Sequence, residues 1–362
     1  MRAQRSNPEY RLLRSARNDG VFTRNDVLIS MKKLLIKILI IILSTLAALF
    51  LLGVLVFNIF TKAPARSSLH NSKKAFVIPW SNKGYIAQGI SYDQGTDNFY
   101  LTGYMKDGSA SPILIVNKSS RKLVNAVRMA KPDGSPFTGH AGGLSVMDNK
   151  IYIAGSSDSC FYVFEKAAVD QAKHNSSVKY SSILTLGDGN AKGDGIKVAY
   201  STVHNGILYA GEFHREPNYI LSDAHQVETK DGLQYALAVG FSVDSSGQAK
   251  AQVAFSIPDL IQGMCFSDDA IYLTSSWALG KSMVYKYSFS SLEVSGTKEV
   301  CEQTVPLYTL TSANSTASWI LPPMAEEIEF TDGRFYITNE SASDKYVFGK
   351  FTGGNWCRAY EF

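Results

Sequence analysis

Cysteine is scarce in this chain. Cys160, Cys265, Cys301 and Cys357 stand far apart, and no two have C-x-x-C spacing. A cysteine-ligated metal centre or a thioredoxin-like pair therefore finds no support; what remains is buried thiols or one or two bridges, with Cys301–Cys357 conceivable. Histidine is nearly as sparse, at six residues. There is no Walker A string, no H-E-x-x-H and no G-x-S-x-G, so the phosphate-cradling loop, helical zinc pair and nucleophile elbow that these strings build are missing. No amphipathic helix of convincing length follows residue 74; the best candidate, 165–173, is short and reads as part of a loop.

A basic face is missing as well, although the formal net charge is +4. Residues 1–60 carry nine Arg or Lys against Glu9, Asp19 and Asp26, a net +6, and the rest of the chain carries 27 basic and 29 acidic groups, a net −2. The positive charge belongs to the N-terminal end, and nucleic acid is excluded as a partner. Beside that charge lies the longest hydrophobic run, 38–60, broken only by Ser44, Thr45, Gly53 and Asn58. About 20 apolar residues suffice to cross a bilayer as a helix. Lys32, Lys33 and Lys37 precede the run, which puts the N-terminus in the cytoplasm and everything after the run outside. A signal peptide cut after Ala63-Pro-Ala65 is the competing reading, but a signal core normally has only about 7–15 apolar residues. The length favours an uncleaved anchor in the cell membrane. The expected division is a basic cytoplasmic leader over 1–37, a membrane helix over 38–60, a polar linker over 61–74 and an ectodomain over 75–362. Met31-Lys-Lys reads as the true initiator, which makes 1–30 a mis-assigned start.

The ectodomain repeats itself. A short apolar strand, a tight turn and a second strand containing a tyrosine recur five times. Gln88-Gly-Ile-Ser-Tyr leads to Asn98-Phe-Tyr-Leu-Thr, Gly142-Gly-Leu-Ser-Val to Ile151-Tyr-Ile-Ala-Gly, and Ala199-Tyr-Ser-Thr-Val to Ile207-Leu-Tyr-Ala-Gly. Gln262-Gly-Met-Cys-Phe leads to Ile271-Tyr-Leu-Thr-Ser, and Glu326-Glu-Ile-Glu-Phe to Arg334-Phe-Tyr-Ile-Thr. The shared tyrosines, Tyr100, Tyr152, Tyr209, Tyr272 and Tyr336, are 52, 57, 63 and 64 residues apart. Third strands are expected at 111–116, 160–164, 235–243 and 283–289, and fourth strands at 123–129, 179–186, 252–257 and 306–310. Four strands per unit, repeated radially, make an all-β fold: a β-propeller of five blades, or six if an insertion hides one. The fifth unit runs out of chain before its fourth strand, and 75–79 is expected to supply it, closing the ring with an N-terminal strand.

That geometry predicts a site. The first and second strands of a blade are antiparallel, so the start of one and the end of the other meet at the same end of the disc. Gln88, His140, Gln262 and Glu326 (or Glu327) come from strand starts. Tyr104, Ser156, Glu212, Trp277 and Glu340 come from strand ends, and His214 and His225 follow Glu212 in an insertion over 213–233. His140, within Thr138-Gly-His-Ala-Gly-Gly143, sits where glycines permit a tight turn or close backbone approach. Ligand-binding candidates are therefore Gln88, His140, Glu212, His214, His225, Gln262 and Glu326. Three chemistries fit: a divalent metal (Ca or Zn) held by His140, Glu212, His214 and Glu326; acid–base catalysis by His140 with Glu212 or Glu340; and a polar axial channel that binds a small molecule, glycan or envelope protein.

The strings Ala87-Gln-Gly-Ile, Thr102-Gly-Tyr-Met, Thr138-Gly-His-Ala-Gly-Gly143, Tyr209-Ala-Gly-Glu-Phe213, Ala236-Leu-Ala-Val-Gly240, Ile261-Gln-Gly263 and Pro322-Pro-Met-Ala-Glu326 resemble a family of secreted or membrane-anchored bacterial β-propeller proteins. The resemblance covers roughly residues 75–362 and implies the fold, with no activity attached. A more distant likeness is to gluconolactonase and senescence-marker propellers, which implies an axial divalent metal and a lactonase reaction. Most blades here open with Gln-Gly or Gly-Gly where those proteins have an acidic residue plus Gly. The expectation is thus a membrane-anchored binding propeller, with a metal-assisted, lactonase-like hydrolase as the alternative.

Overall fold

The computed structural model describes residues 24–155, 158–187, 193–346 and 348–362. Arg24–Lys62 is one helix, longer at its N-terminal end than the apolar run that nucleates it. Its most apolar 18-residue stretch has a mean hydropathy of 3.0, and among the described residues it alone is long and apolar enough to cross a membrane. Leu43, Leu51 and Phe60 are among its many exposed large side chains. The chain divides into two units after Phe57.

In the second unit each of the five repeats becomes a blade with four antiparallel strands at its core; Ser177–Lys179 adds a parallel edge strand to blade 1, and Gln303–Thr309 followed by Gly296–Val300 extends blade 3. Blade 1 contains Tyr85–Asp93, Asn98–Met105, Pro112–Asn117 and Lys122–Ala130. Blade 2 contains Ala141–Met147, Lys150–Gly155, Cys160–Glu165 and Ser182–Thr185. Blade 3 contains Tyr200–His204, Ile207–Gly211, Ala236–Val243 and Ala249–Ile257. Blade 4 contains Ile261–Phe266, Ala270–Ser275, Ser282–Ser288 and Ala317–Leu321. Blade 5 contains Ala325–Thr331, Arg334–Asn339 and Trp356–Tyr360, and its outer strand is Ser72–Val77. The first strands of consecutive blades contact each other around the ring, and blade 5 meets blade 1.

The N-terminal closure follows from the register. Ser72 lies opposite Tyr360 and Val77 opposite Trp356 in an antiparallel pair, so the two ends of the propeller share one sheet. Phe76, 1% exposed, carries that closure into the core, where its ring lies 5.4 Å from Phe99 of blade 1. Ahead of this strand, Arg66–His70 forms a short helix, and Ala65 and Ser68 beside it are buried. The 165–173 candidate folds as a short helix over Lys166–Gln171.

One strand assignment is corrected. Residues 306–310 were expected as the fourth strand of blade 4, but Gln303–Thr309 instead joins the outer edge of blade 3, parallel to Ala249–Ile257. Ala317–Leu321 takes the place beside Ser282–Ser288. Alternation along a strand specifies which face is buried, not which edge it pairs with. Val305 and Leu307 point into the core between blades 2 and 3, and that burial fixes the edge.

Five apolar clusters fill the five inter-blade interfaces. The repeated tyrosine is buried in all five blades. Tyr209 packs 4.5 Å from Phe266, Tyr272 4.3 Å from Phe335 and Tyr336 4.6 Å from Phe99, in each case against the following blade. An aromatic at this position therefore joins one blade to the next, which is why it recurs. All four cysteines are free thiols.

At the centre, Glu327 of blade 5 ties three other blades together. Its Oε2 accepts the N–H of Ile90 at 2.6 Å and of Leu144 at 3.2 Å, and its Oε1 accepts the N–H of Ser201 at 2.9 Å. Those donors lie on the first strands of blades 1, 2 and 3. Burial pushes the Glu327 carboxyl well above the usual pKa range, and the three N–H donors, which favour the anion, pull against that shift. Gly143 allows the approach: a Cβ there would collide with the Glu327 carboxylate and lie 2.6 Å from the Tyr200 Cα. A threonine in the second strand of blades 1, 4 and 5 makes a matching seam. Thr102 donates to the Gly142 carbonyl at 2.6 Å, Thr274 to the Glu326 carbonyl at 2.9 Å, and Thr338 to the Gln88 carbonyl at 3.3 Å.

Candidate functional site

Four of the five first strands carry a register shift near their start. The irregularities fall between Ala87 and Gly89, Ala141 and Leu144, Ile261 and Gly263, and Ala325 and Ile328. The extra residues at these bulges are Gln88, Gly142 and Gly143, Gln262, and Glu326 and Glu327. A bulge breaks the strict alternation of side chains and re-aims the inserted residue. Here it places amides and carboxylates at the axis without giving up the apolar alternation that packs the blades.

The result is a cavity of about 570 Å³ whose lining includes Gln88, Tyr104, His140, Gln262, Trp277, Glu326 and Glu340. Five of the eight site candidates therefore meet: Gln88, His140, Gln262, Glu326 and Glu340. Glu326 is 4% exposed; it lines the cavity, and among the described residues no hydrogen bond acts on its carboxylate. Burial pushes its pKa well above the usual range, and the Glu340 and Glu327 charges add to the shift. Glu340 accepts a hydrogen bond from the Gln88 amide at 3.1 Å. Burial lifts its pKa to about 7 against the opposing pull of Lys345 and Gln88. His140 is open to the cavity, with its ring 4.6 Å from that of Tyr104. Crowding by surrounding protein, followed by the Lys345 charge, holds its pKa below the ordinary imidazole range. A neutral imidazole can donate and accept at once.

The cavity wall has a different chemistry. Phe213, Tyr219 and Trp277 line it and pack as a cluster, Phe213 5.2 Å from Tyr219 and Tyr219 5.8 Å from Trp277. The Arg215 guanidinium lies 4.1 Å from the Trp277 ring centroid. Lys345 donates to the Tyr104 hydroxyl at 2.6 Å. The cavity thus has hydrogen-bonding groups from the bulges on one part of its lining and aromatic surface from the 213–233 insertion on another.

Glu212, His214 and His225 have other duties. Glu212 is fully buried; its Oε1 accepts the N–H of Lys197 at 3.0 Å, and its Oε2 accepts the N–H of Leu237 at 3.1 Å and lies 2.8 Å from His225 Nδ1. Burial disfavours the His225 cation, but the hydrogen bond and charge of Glu212 outweigh it and raise the pKa. Both residues line a separate cavity of about 410 Å³. His214 stacks on Tyr235 at 4.5 Å and pairs with Asp259 at 2.8 Å. These bonds fasten the insertion to the blade. Of the four proposed metal ligands, only His140 and Glu326 line the axial cavity, so the set does not assemble as one donor cluster. No group of three or more His, Cys, Asp or Glu among the described residues is arranged to hold a metal. Ser156 lies outside the described residues.

Reasoning from sequence missed Lys197, Lys345 and Tyr346, which also line the axial cavity. Lys197 had a signal, since it precedes Ala199 as His140 precedes Gly142 in the aligned repeats. Lys345 and Tyr346 had none, because they lie in the long connection after the second strand of blade 5.

The architecture is that of a five-bladed β-propeller with a polar, aromatic-walled cavity at one end of its axis. No protein-family model matches the chain, and no curated protein matches it. Solved structures do. A glutaminyl cyclase from Myxococcus xanthus matches with a TM-score of 0.38 at 14% identity, over 77% of this chain and 90% of that one. The PQQ-bound aldose sugar dehydrogenase from Streptomyces coelicolor matches with a TM-score of 0.39 at 11% identity, over 74% and 76%. A Lactobacillus plantarum protein matches with a TM-score of 0.33 at 15% identity, over 70% and 64%. Similarity at this level bears on neither ligand nor reaction.

Proposed function

We propose that this chain is a membrane-anchored, extracytoplasmic binding module that holds a small polar ligand in the axial cavity. The observation that carries this reading is Glu326. A buried carboxyl without a partner costs stability, and a residue of this kind, aimed into a cavity, calls for a donor from a ligand. The Phe213–Tyr219–Trp277 wall suits a ligand with an apolar face, and the amides of Gln88 and Gln262 suit hydroxyl or amide groups beside it. The apolar Arg24–Lys62 helix, following a basic leader, supports the anchor.

Two measurements on the full chain test the reading. Glu326→Gln should stabilise the ligand-free protein at pH 8 by about 1 kcal/mol, as expected when a binding group is held at the expense of stability. A panel of monosaccharides, amino sugars and short peptides should contain members that raise the melting temperature of wild type but not of Glu326→Gln or Trp277→Ala. Loss of stability in Glu326→Gln would make the carboxylate structural and sink the proposal.

A further inference from the structure

A second cavity, of about 270 Å³, lies away from the axial one and is lined by Lys62, Lys74 and Arg358. No Asp or Glu is among its lining residues. Lys62 feels the charges of both Arg358 and Lys74. Lys74 lies over the Trp356 ring, 5.0 Å from its centroid. Arg358 is fixed in place, with its Nε donating to Ser72 Oγ at 3.0 Å. Three cations around one concavity repel each other, and repulsion of this kind destabilises a fold unless an anion sits among them. Residues 61–362 carry more acidic than basic groups, so a purely cationic pocket is not the accident of a basic surface. A cation at Lys62 complements the carbonyl end of its helix, but that accounts for one charge, not three.

We propose that this pocket is a phosphate-recognising anion site in which Lys62, Lys74 and Arg358 converge on the phosphate oxygens. Two sources share that chemistry: the headgroup of an anionic phospholipid and a free phosphate. The chain favours the first, because Lys62 ends the apolar helix and a basic residue just past a membrane segment sits at headgroup depth. The proposal is independent of the axial ligand.

The test uses the full chain in non-ionic detergent, titrated calorimetrically with inorganic phosphate and, separately, with short-chain phosphatidylglycerol below its micelle concentration. Short-chain phosphatidylcholine serves as the zwitterionic control. Saturable binding of phosphatidylglycerol alone identifies a lipid site; saturable binding of inorganic phosphate as well identifies a general phosphate site. In either case Lys62→Gln and Lys74→Gln should each weaken binding about tenfold, as expected for loss of one charge-assisted hydrogen bond. Lys106→Gln, on blade 1, should leave it unchanged. Trp356 emission should respond as Lys74 leaves its ring. No saturable binding by either probe, equal binding of phosphatidylcholine, or affinities unaltered in the two lysine variants would overturn the proposal.

Discussion

Removing the Glu327 carboxylate should do more damage than any other single polar change at the axis. Glu327→Ala strips the acceptor from three buried N–H groups at once, those of Ile90, Leu144 and Ser201. An unsatisfied buried donor costs about 1–3 kcal/mol, and water entering the vacated space can recover part of the loss. The net expectation is about 3–5 kcal/mol, comparable with breaking a buried ion pair. Glu327→Gln is nearly isosteric and graded. Its carbonyl oxygen can still serve Ile90 and Leu144, but its NH₂ then faces the Ser201 N–H, donor against donor, at a cost of about 1–3 kcal/mol. Urea unfolding of the full chain followed by circular dichroism measures the order wild type, then Gln, then Ala, with an unchanged slope. An Ala variant within about 0.5 kcal/mol of wild type, the range of ordinary surface changes, would refute the idea that one carboxylate joins four blades. A Gln variant more stable than wild type would refute it too.

Two further expectations concern the closure and the cavity. Phe76→Ala should lose about 3–5 kcal/mol, whereas Val77→Ala, on the exposed side of the same strand at 44% exposure, should lose less than about 0.5 kcal/mol; equal losses would mean that the strand does not close the ring by packing. Glu340 has a folded pKa of about 7, raised above the carboxyl value of about 4.3 expected when unfolded. Its contribution to stability is therefore present at pH 4 and is lost as the pH rises through 7. Glu340→Gln should reduce the fall in stability between pH 5 and pH 8 and gain about 1–2 kcal/mol at pH 8. A variant that keeps the wild-type pH slope, measured by urea midpoints, contradicts this.

The repeat was legible because it recorded contacts made five times over. A tyrosine at Tyr100, Tyr152, Tyr209, Tyr272 and Tyr336 meets the same neighbouring surface in every blade, so selection by packing writes it into the sequence at a fixed phase. The closing strand was legible from arithmetic, since the fifth unit lacks an outer strand; 75–79 was expected to supply it, and 72–77 does. The edge joined by Gln303–Thr309 was not, because strand alternation is the same whichever sheet accepts the strand. The cavity was half legible. Strand starts and strand ends placed Gln88, His140, Gln262, Glu326 and Glu340 at one end of the disc, and the structure lines one cavity with them. Glu212, His214 and His225 do not line that cavity, and their partners Lys197, Leu237, Asp259 and Tyr235 depend on how the 213–233 insertion folds back.

Sequence by itself determined the apolar helix, the five repeated units and which polar residues stand at strand starts and strand ends, because each follows from local periodicity and chain direction; that no sixth blade is hidden in an insertion among the described residues was decided by the structure. Tertiary structure alone decided which polar groups are spent and which are left over. Glu326 and Glu327 are neighbours of the same type at one bulge, and no local pattern separates them. Glu327 meets three backbone donors and becomes the hub of the ring, while Glu326 lines the axial cavity with no hydrogen bond on its carboxylate among the described residues. That difference depends on how closely the first strands of blades 1, 2 and 3 approach the axis, a distance set by packing across the whole ring.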